Sequence, residues 1–272
     1  MKRVAFWIIA FLITISSAVY QRLTGPTYAL RGKVMLGDAE IKYRLARTHE
    51  TDKDCELGIK AQAEDITGYI IYKRHKTDDP WNKVPMVRKE DSLVAKLPHQ
   101  PPAGKLEYKV ILAYRDKETS LSGDLPVIIR FKGAVPLAVL IPHVIIMFLA
   151  MLVSTRAGIE ALDRKSNPRK YALYAAGLLF LGGMILGPLV QKFAFGELWT
   201  GFPFGYDLTD NKTLIAMVGW IVALIAGRKG KPARGWVLGA SILLLVIFLI
   251  PHSLLGSELD YSKMSPPPSV PK

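Results

Sequence analysis

The chain has 272 residues, of which half are hydrophobic and 22% are charged, and its net charge is +13. This length allows one small domain and several membrane spans, and the charged fraction excludes a chain embedded in lipid throughout. Many of the basic residues flank apolar runs, where the positive bias of cytoplasmic loops explains them, so we expect no nucleic-acid partner. Cys55 is the only cysteine, which excludes an internal disulfide, a Cys-based metal cluster and a covalently attached c-type haem.

Residues 1–22 have the form of a secretory signal peptide or a signal anchor. Lys2 and Arg3 precede an apolar run, Val4–Val19, which is the expected order for either segment. Ser16-Ser17-Ala18 offers small residues for cleavage, and the run is shorter than the roughly 20 residues that a span needs. Cleavage and retention therefore both stay open. Either outcome places the following residues outside the cytoplasm.

Residues 23–132 change to short segments in which apolar and polar residues alternate. Ile41, Tyr43 and Leu45, for example, share one face of a predicted strand. Turn sequences such as Asp78-Asp79-Pro80 separate the segments. The clearest predicted strands are Glu40–Arg47, Tyr69–Arg74, Ser92–Leu97, Lys105–Tyr114 and Leu125–Phe131. About seven short strands in about 100 residues predict an all-β immunoglobulin-like or fibronectin-III-like sandwich, a fold that specifies no chemistry by itself.

Residues 133–255 contain four further apolar runs, which makes five spans with the N-terminal anchor. The predicted helices cover about 134–154, 171–190, 212–227 and 235–252, with a loop at 191–211. Gly183 and Gly187 have the small-xxx-small spacing that lets two helices approach closely in lipid. The polar tail, 256–272, contains three consecutive prolines and is expected to be disordered.

The charges predict how the chain is oriented. Arg156–Lys170 and Arg228–Arg234 are strongly basic and should be cytoplasmic, whereas the loop Phe193–Lys212 and the tail carry acidic residues and should face outward. The sequence therefore predicts a multi-pass, multi-domain protein of the bacterial cytoplasmic membrane. Its β domain and its C-terminus would be extracytoplasmic.

Two interpretations of the outward loop stay open. In the structural one, Asp210 or Thr209 caps the following helix, and the aromatic residues of the loop lie at the membrane interface. In the functional one, acidic and aromatic residues of the loop and the tail form an outer-face pocket for a cation, a quinol headgroup or a partner protein. The residues of that pocket would be Glu197, Trp199, Tyr206, Asp207, Asp210, Glu258 and Asp260.

Two histidines form the second candidate site. The sequence Leu-Ile-Pro-His occurs twice and ends at His143 and at His252. An ionisable residue within a span is a functional-site hypothesis by default. The histidines are interpreted as neutral and hydrogen-bonded to the backbone, as axial ligands of a b-type haem, or as a proton or quinol site beside a carboxylate. For the last interpretation we expect His252 to pair with a loop acid while His143 stays neutral.

No phosphate-binding loop, metalloprotease or nucleophile-elbow motif is present in the sequence, so it assigns no catalytic residue and no metal ligand. The expected function is an accessory or anchor subunit of a bacterial membrane complex, respiratory or electron-transferring, with a haem b or quinol site at the outer ends of the helices. The alternative is a non-redox β-sandwich module for protein binding, assembly, envelope organisation or sensing. The expected partners are membrane lipid and other protein subunits.

Overall fold

The computed structural model describes residues 2–228, 233–251, 256 and 258–263. Its contacts divide the chain into two compact units. The β unit comprises Thr27–Ala134 and Glu258–Lys272, and the helical unit comprises Met1–Pro26 and Val135–Ser257. Each unit is built around a hydrophobic core of its own.

Short strands make up most of the β unit, and each of the clearest predicted strands overlaps an observed one. The strands are β1 (Leu30–Leu36), β2 (Ala39–Leu45), β3 (Thr48–Glu50), β4 (Cys55–Lys60), β5 (Ile66–Arg74), β6 (Asn82–Pro85), β7 (Val87–Lys89), β8 (Ser92–Leu97), β9 (Lys105–Tyr114), β10 (Lys117–Ser120) and β11 (Val127–Lys132).

The strands form a hairpin and two larger sheets. The hairpin is β1-β2, one sheet has the order β3-β11-β9-β5-β6 with β10 paired to β9, and the other has the order β4-β8-β7. The pairing of β3 with β11 is parallel. Alternate residues of β4 are buried, and they share one core with residues of the larger sheet. Tyr108 lies in this core and donates its hydroxyl to Ala46 O at 2.8 Å, which satisfies its polar group.

Residues 258–263, here called the clasp, belong to the β unit and pack against its strands and turns. Leu259 N donates to Ala103 O at 3.2 Å, and the Tyr261 hydroxyl accepts a hydrogen bond of 2.9 Å from Lys105 N. Arg74 lies over the Tyr261 ring, 5.2 Å from its centroid. The expectation of a disordered tail is therefore wrong for these six residues, because composition cannot show that a short polar segment has a binding surface elsewhere in the chain.

The helical unit contains helices α1 (Lys2–Thr24), α2 (Leu137–Leu162), α3 (Arg169–Leu179), α4 (Gly187–Phe195), α5 (Leu208–Ala226) and α6 (Arg234–Leu249). A π-helical segment, Phe180–Leu186, joins α3 to α4. Four helices of the described residues are long and apolar enough to cross a membrane: α1, α2, the continuous Arg169–Phe195 helix and α5. Apolar α6 is shorter, with 16 residues. The chain thus combines β-sheets with helices suited to a membrane.

Several helices extend beyond the apolar runs that predict them, and the continuous helix that includes α4 ends at Phe195 rather than at 190. Helix α2 continues to Leu162, about two turns past residue 154, because the charge of Arg156 is buried and paired with Glu160. Helix α5 begins at Leu208 rather than at 212, because Asp207 caps it. The loop between α4 and α5 is correspondingly shorter than predicted and covers residues 196–207.

Candidate functional site at the loop end of the helical unit

Polar side chains concentrate at the end of the helical unit where α1, α4 and α6 finish and α5 begins, here called the loop end. Asp210 in the first turn of α5 is the centre of one network. Its Oδ2 accepts hydrogen bonds from Thr200 N at 2.7 Å and from Gln191 Nε2 at 3.0 Å. Gln191 also donates to Thr200 Oγ1 at 2.6 Å. Since Asp210 and Gln191 are both buried, these bonds hold the loop between α4 and α5 against the bundle.

The cap of α5 is Asp207, which corrects the expectation of Asp210 or Thr209. Asp207 Oδ1 accepts from Thr209 N at 2.7 Å and from Asp210 N at 3.4 Å, as a side chain at the N-cap position does. The next polar residue, Asn211, accepts from Phe202 N at 2.7 Å. The carboxylates of Asp207 and Asp210 thus point into their own loop.

The aromatic residues of the loop point outward. Phe202, Phe204 and Tyr206 have relative exposures of 67%, 83% and 94%. Trp199 is half-buried and donates its Nε1 proton to Phe202 O at 3.0 Å. The buried network therefore holds the loop from beneath, while Phe202, Phe204 and Tyr206 project from its surface. These three residues are here called the projecting aromatic turn.

Glu197 lies apart from the other two loop acids. It is exposed and lines a shallow cleft with Lys192, Trp199 and Phe204. The structure thus brings Glu197 and Trp199 together, while Asp207 and Asp210 belong to the buried network.

The carbonyl groups at the C-terminus of α6 accept hydrogen bonds from side chains of two other helices. Pro251 follows the helix, and the carbonyl groups of its last turn need donors. Lys212 Nζ of α5 donates to Ile250 O at 2.8 Å, and Gln21 Nε2 of α1 donates to Phe248 O at 2.6 Å. Lys212 is 4% exposed, so its ammonium group is held within the loop end.

His143 lies on α2 and contacts the π-helical segment. Its Nδ1 is 3.0 Å from Gly182 O. A carbonyl oxygen can only accept, so Nδ1 carries a proton and donates it, and in the neutral form of the ring the lone pair is on Nε2. The helix opposite His143 carries no side chain at Gly182, Gly183 and Gly187, and a Cβ at Gly187 would lie 3.8 Å from His143 Cε1.

The remaining predicted site residues lie elsewhere. Glu258 belongs to the β unit, where Lys76 and Lys105 each approach its carboxylate at 2.6 Å. Partial burial raises the pKa of Glu258, but the hydrogen bonds from these two lysines outweigh that effect and bring the pKa to about 2. Asp260 accepts from Ser262 within the clasp. His252 lies outside the described residues, so its pairing with a loop acid stays a prediction.

Sequence reasoning missed the polar residues that complete the loop end: Gln21, Gln191, Thr200, Asn211 and Lys212. Three of them carried a usable signal, because Gln21, Gln191 and Lys212 stand within or beside apolar helices, where a polar side chain needs a partner. Thr200 and Asn211 carried none, since their roles depend on the conformation of the loop. No family model, curated protein or solved structure matches this chain.

Proposed function

We propose that the protein is an accessory or anchor subunit of a bacterial membrane complex that transfers electrons, with a haem b or quinol site near His143. In this proposal the chain crosses the cytoplasmic membrane five times, with α1 and α6 counted. The β unit is an immunoglobulin-like or fibronectin-III-like sandwich outside the cytoplasm. It binds an extracytoplasmic protein of the same complex.

The observation that carries the proposal is the fixed orientation of the His143 ring. A histidine that binds a metal through one ring nitrogen commonly donates the N–H of the other to a carbonyl group. This hydrogen bond sets the tautomer and orients the metal-binding nitrogen. The Gly182 carbonyl group has this relation to His143. It belongs to a π-helical segment, a feature that occurs frequently at functional sites. His252 would be the second axial ligand.

The hydrogen bonds at the C-terminal end of α6 support its proposed role as the fifth membrane span. Its 16 residues extend about 24 Å at 1.5 Å per residue, somewhat less than the ~30 Å hydrocarbon core. Lys212 and Gln21 supply donors to its terminal carbonyl groups, so this end can lie below the membrane surface without unsatisfied backbone groups.

Strand order supports the proposed sandwich. In the immunoglobulin fold, one sheet contains strands B, E and D and the other contains C, F and G. The smaller sheet here, β4-β8-β7, and the neighbours β5, β9 and β11 of the larger sheet follow these two orders. Such domains bind other proteins in many settings, although the fold specifies no partner.

An absorbance spectrum of the purified full-length protein tests the redox proposal. We expect a reduced-minus-oxidised b-type band, or saturable binding of a quinol analogue, that is lost in His143→Ala. His99→Ala is the matched control, because His99 is an exposed histidine paired with Asp54. A colourless protein that binds no quinol analogue would contradict the proposal.

The projecting aromatic turn favours a second function, a non-redox module that binds a partner protein. Phe204 and Tyr206 are almost fully exposed, and exposed aromatic residues on a rigid support are common at the centres of protein interfaces. The matching experiment compares the proteins that copurify with each variant. Loss of a partner in Phe204→Asp but not in His143→Ala would favour this function, and an unchanged set of partners in both variants would contradict it.

A further inference from the structure

A fully buried arginine lies at the end of the helical unit opposite the loop end. Arg156 of α2 has 0% relative exposure and forms an ion pair with Glu160, four residues later. Apart from this pair, none of its guanidinium nitrogens has a hydrogen-bond partner among the described residues. A charge buried inside a protein is costly unless other groups stabilise it, so the surroundings of Arg156 need an explanation.

Three aromatic rings surround the guanidinium group. Its Cζ lies 5.1 Å from the ring centroid of Phe6, 5.6 Å from that of Trp7 and 4.6 Å from that of Tyr171. These distances are within the range in which a ring face attracts a cation. Trp7 and Tyr171 also pack edge to face, with centroids 5.8 Å apart. Two of the three rings therefore come from α1.

Helix α1 contacts the rest of the unit along its whole length. Ala10, Thr14 and Ser17 are buried, and their spacing of four and three residues places them on one face of the helix. The hydroxyl groups of Thr14 and Ser17 donate to carbonyl groups of the preceding turn, so this face has no unsatisfied hydroxyl. At the far end Gln21 donates to Phe248 O of α6.

We infer that α1 is retained in the mature protein as a permanent helix of the bundle, because it supplies the aromatic cover that Arg156 requires. Cleavage after Ala18 would remove Phe6 and Trp7 together with the small face of α1. Of the partners described above, Arg156 would keep only Glu160 and Tyr171. The five spans of the proposed function assume a retained α1, and the Arg156 contacts give the reason for its retention. The haem or quinol site near His143 plays no part in this inference.

The intact mass of the protein tests the retention of α1. The full chain, with an affinity tag at its C-terminus, is expressed in a bacterium, purified from the membrane fraction and weighed by mass spectrometry. We expect a mass that includes residues 2–18. A protein that begins at Val19 would overturn the inference.

Substitutions in α1 test the reason for its retention. Trp7→Ala should lower the thermal unfolding midpoint of the purified protein by several degrees, and Trp7→Phe should recover part of the loss because phenylalanine keeps a ring face. Ile8→Ala is the matched control, since Ile8 is the next residue and its side chain is 55% exposed. Equal midpoints for Trp7→Ala and Ile8→Ala would show that the aromatic cover does not stabilise Arg156.

Discussion

Asp207 and Asp210 are close in the chain, and the fold uses their carboxylates for different purposes. Asp207 caps α5 by accepting from backbone groups of the first helical turn. Asp210 accepts from Thr200 and Gln191, which lie on the other side of the loop. One residue therefore sets where the helix begins, and the other sets where the loop lies.

The Asp210 network gives the first prediction. Asp210→Ala removes the carboxylate that accepts from both Thr200 N and Gln191 Nε2, and such a loss costs about 1–3 kcal/mol. We expect a lower thermal midpoint and faster proteolysis of the loop at residues 196–207. Glu197→Ala removes an exposed carboxylate of the same loop and should leave both quantities nearly unchanged. Similar behaviour of the two variants would show that the network does not hold the loop.

The second prediction concerns Glu258 and pH. Lys105 and Lys76 lower the pKa of Glu258 to about 2 in the folded protein, against an ordinary value of 4.5. A carboxyl group with a lowered folded pKa stabilises the fold above its unfolded pKa and loses that contribution as the pH falls through the folded pKa. We therefore expect clasp amides to lose protection from hydrogen exchange as the pH falls from about 4.5 towards 2.

Glu258→Gln should remove this part of the pH dependence and weaken protection of the clasp at neutral pH. Glu56→Gln is the control, because the Glu56 carboxylate is more exposed than that of Glu258 and lies farther from its partner, 3.8 Å from Lys89 Nζ. Other paired carboxylates of the β unit, such as Asp79 beside Arg74, titrate at low pH in all variants. The informative quantity is thus the difference between each variant and the unaltered protein.

At the scale of the elements, glycines decide how closely the π-helical segment packs. A Cβ at Gly182 would lie 2.8 Å from Met147 Sδ of α2, and one at Gly183 would lie 2.7 Å from Thr213 Cγ2 of α5. Both separations are shorter than real Cβ contacts, so a side chain at either position would force its neighbour to shift. The flexible Met147 side chain can move more easily than the β-branched Thr213. Gly187, the other member of the predicted pair, has only ordinary contacts at 3.5 Å or more.

The third prediction follows from that packing. Gly183→Val should push α5 away and destabilise the helical unit by about 1–3 kcal/mol, as an overpacked core substitution does. Gly177→Val is the control. It makes the same substitution in α3, at a position where a Cβ would meet nothing within 4 Å. Thermal midpoints in detergent compare the two variants. A Gly183→Val protein as stable as Gly177→Val would exclude the close contact with Thr213.

At the scale of the whole molecule, the fourth prediction is the orientation in the membrane. Cys55 is buried and burial raises the pKa of its thiol to about 11, so it should react slowly, and Cys55→Ala gives a cysteine-free background. In that background we expect Asp52→Cys in the β unit to react with an impermeant maleimide added to whole cells. Lys165→Cys and Arg228→Cys should react only after the membrane is opened. Labelling of either position in intact cells would overturn the orientation.

Hydropathy and charge along the chain were sufficient to predict the kinds of elements and their approximate places. Alternation over a few residues indicated strands such as β2 and β9, because every second side chain of a half-buried strand faces the core. Long apolar runs indicated the helices, because lipid accepts few other residues. The same patterns drew attention to His143, Asp207 and Asp210, whose residue types are unusual in or beside a span.

Only the tertiary structure decided which groups these residues contact. Asp210 meets Gln191, Lys212 meets the end of α6, and Arg156 meets the rings of α1. The clasp likewise meets β9, more than 150 residues earlier in the sequence. A local pattern reports whether a side chain prefers water or an apolar environment. It does not report its partner, because that partner comes close only when helices and strands distant in the sequence pack together.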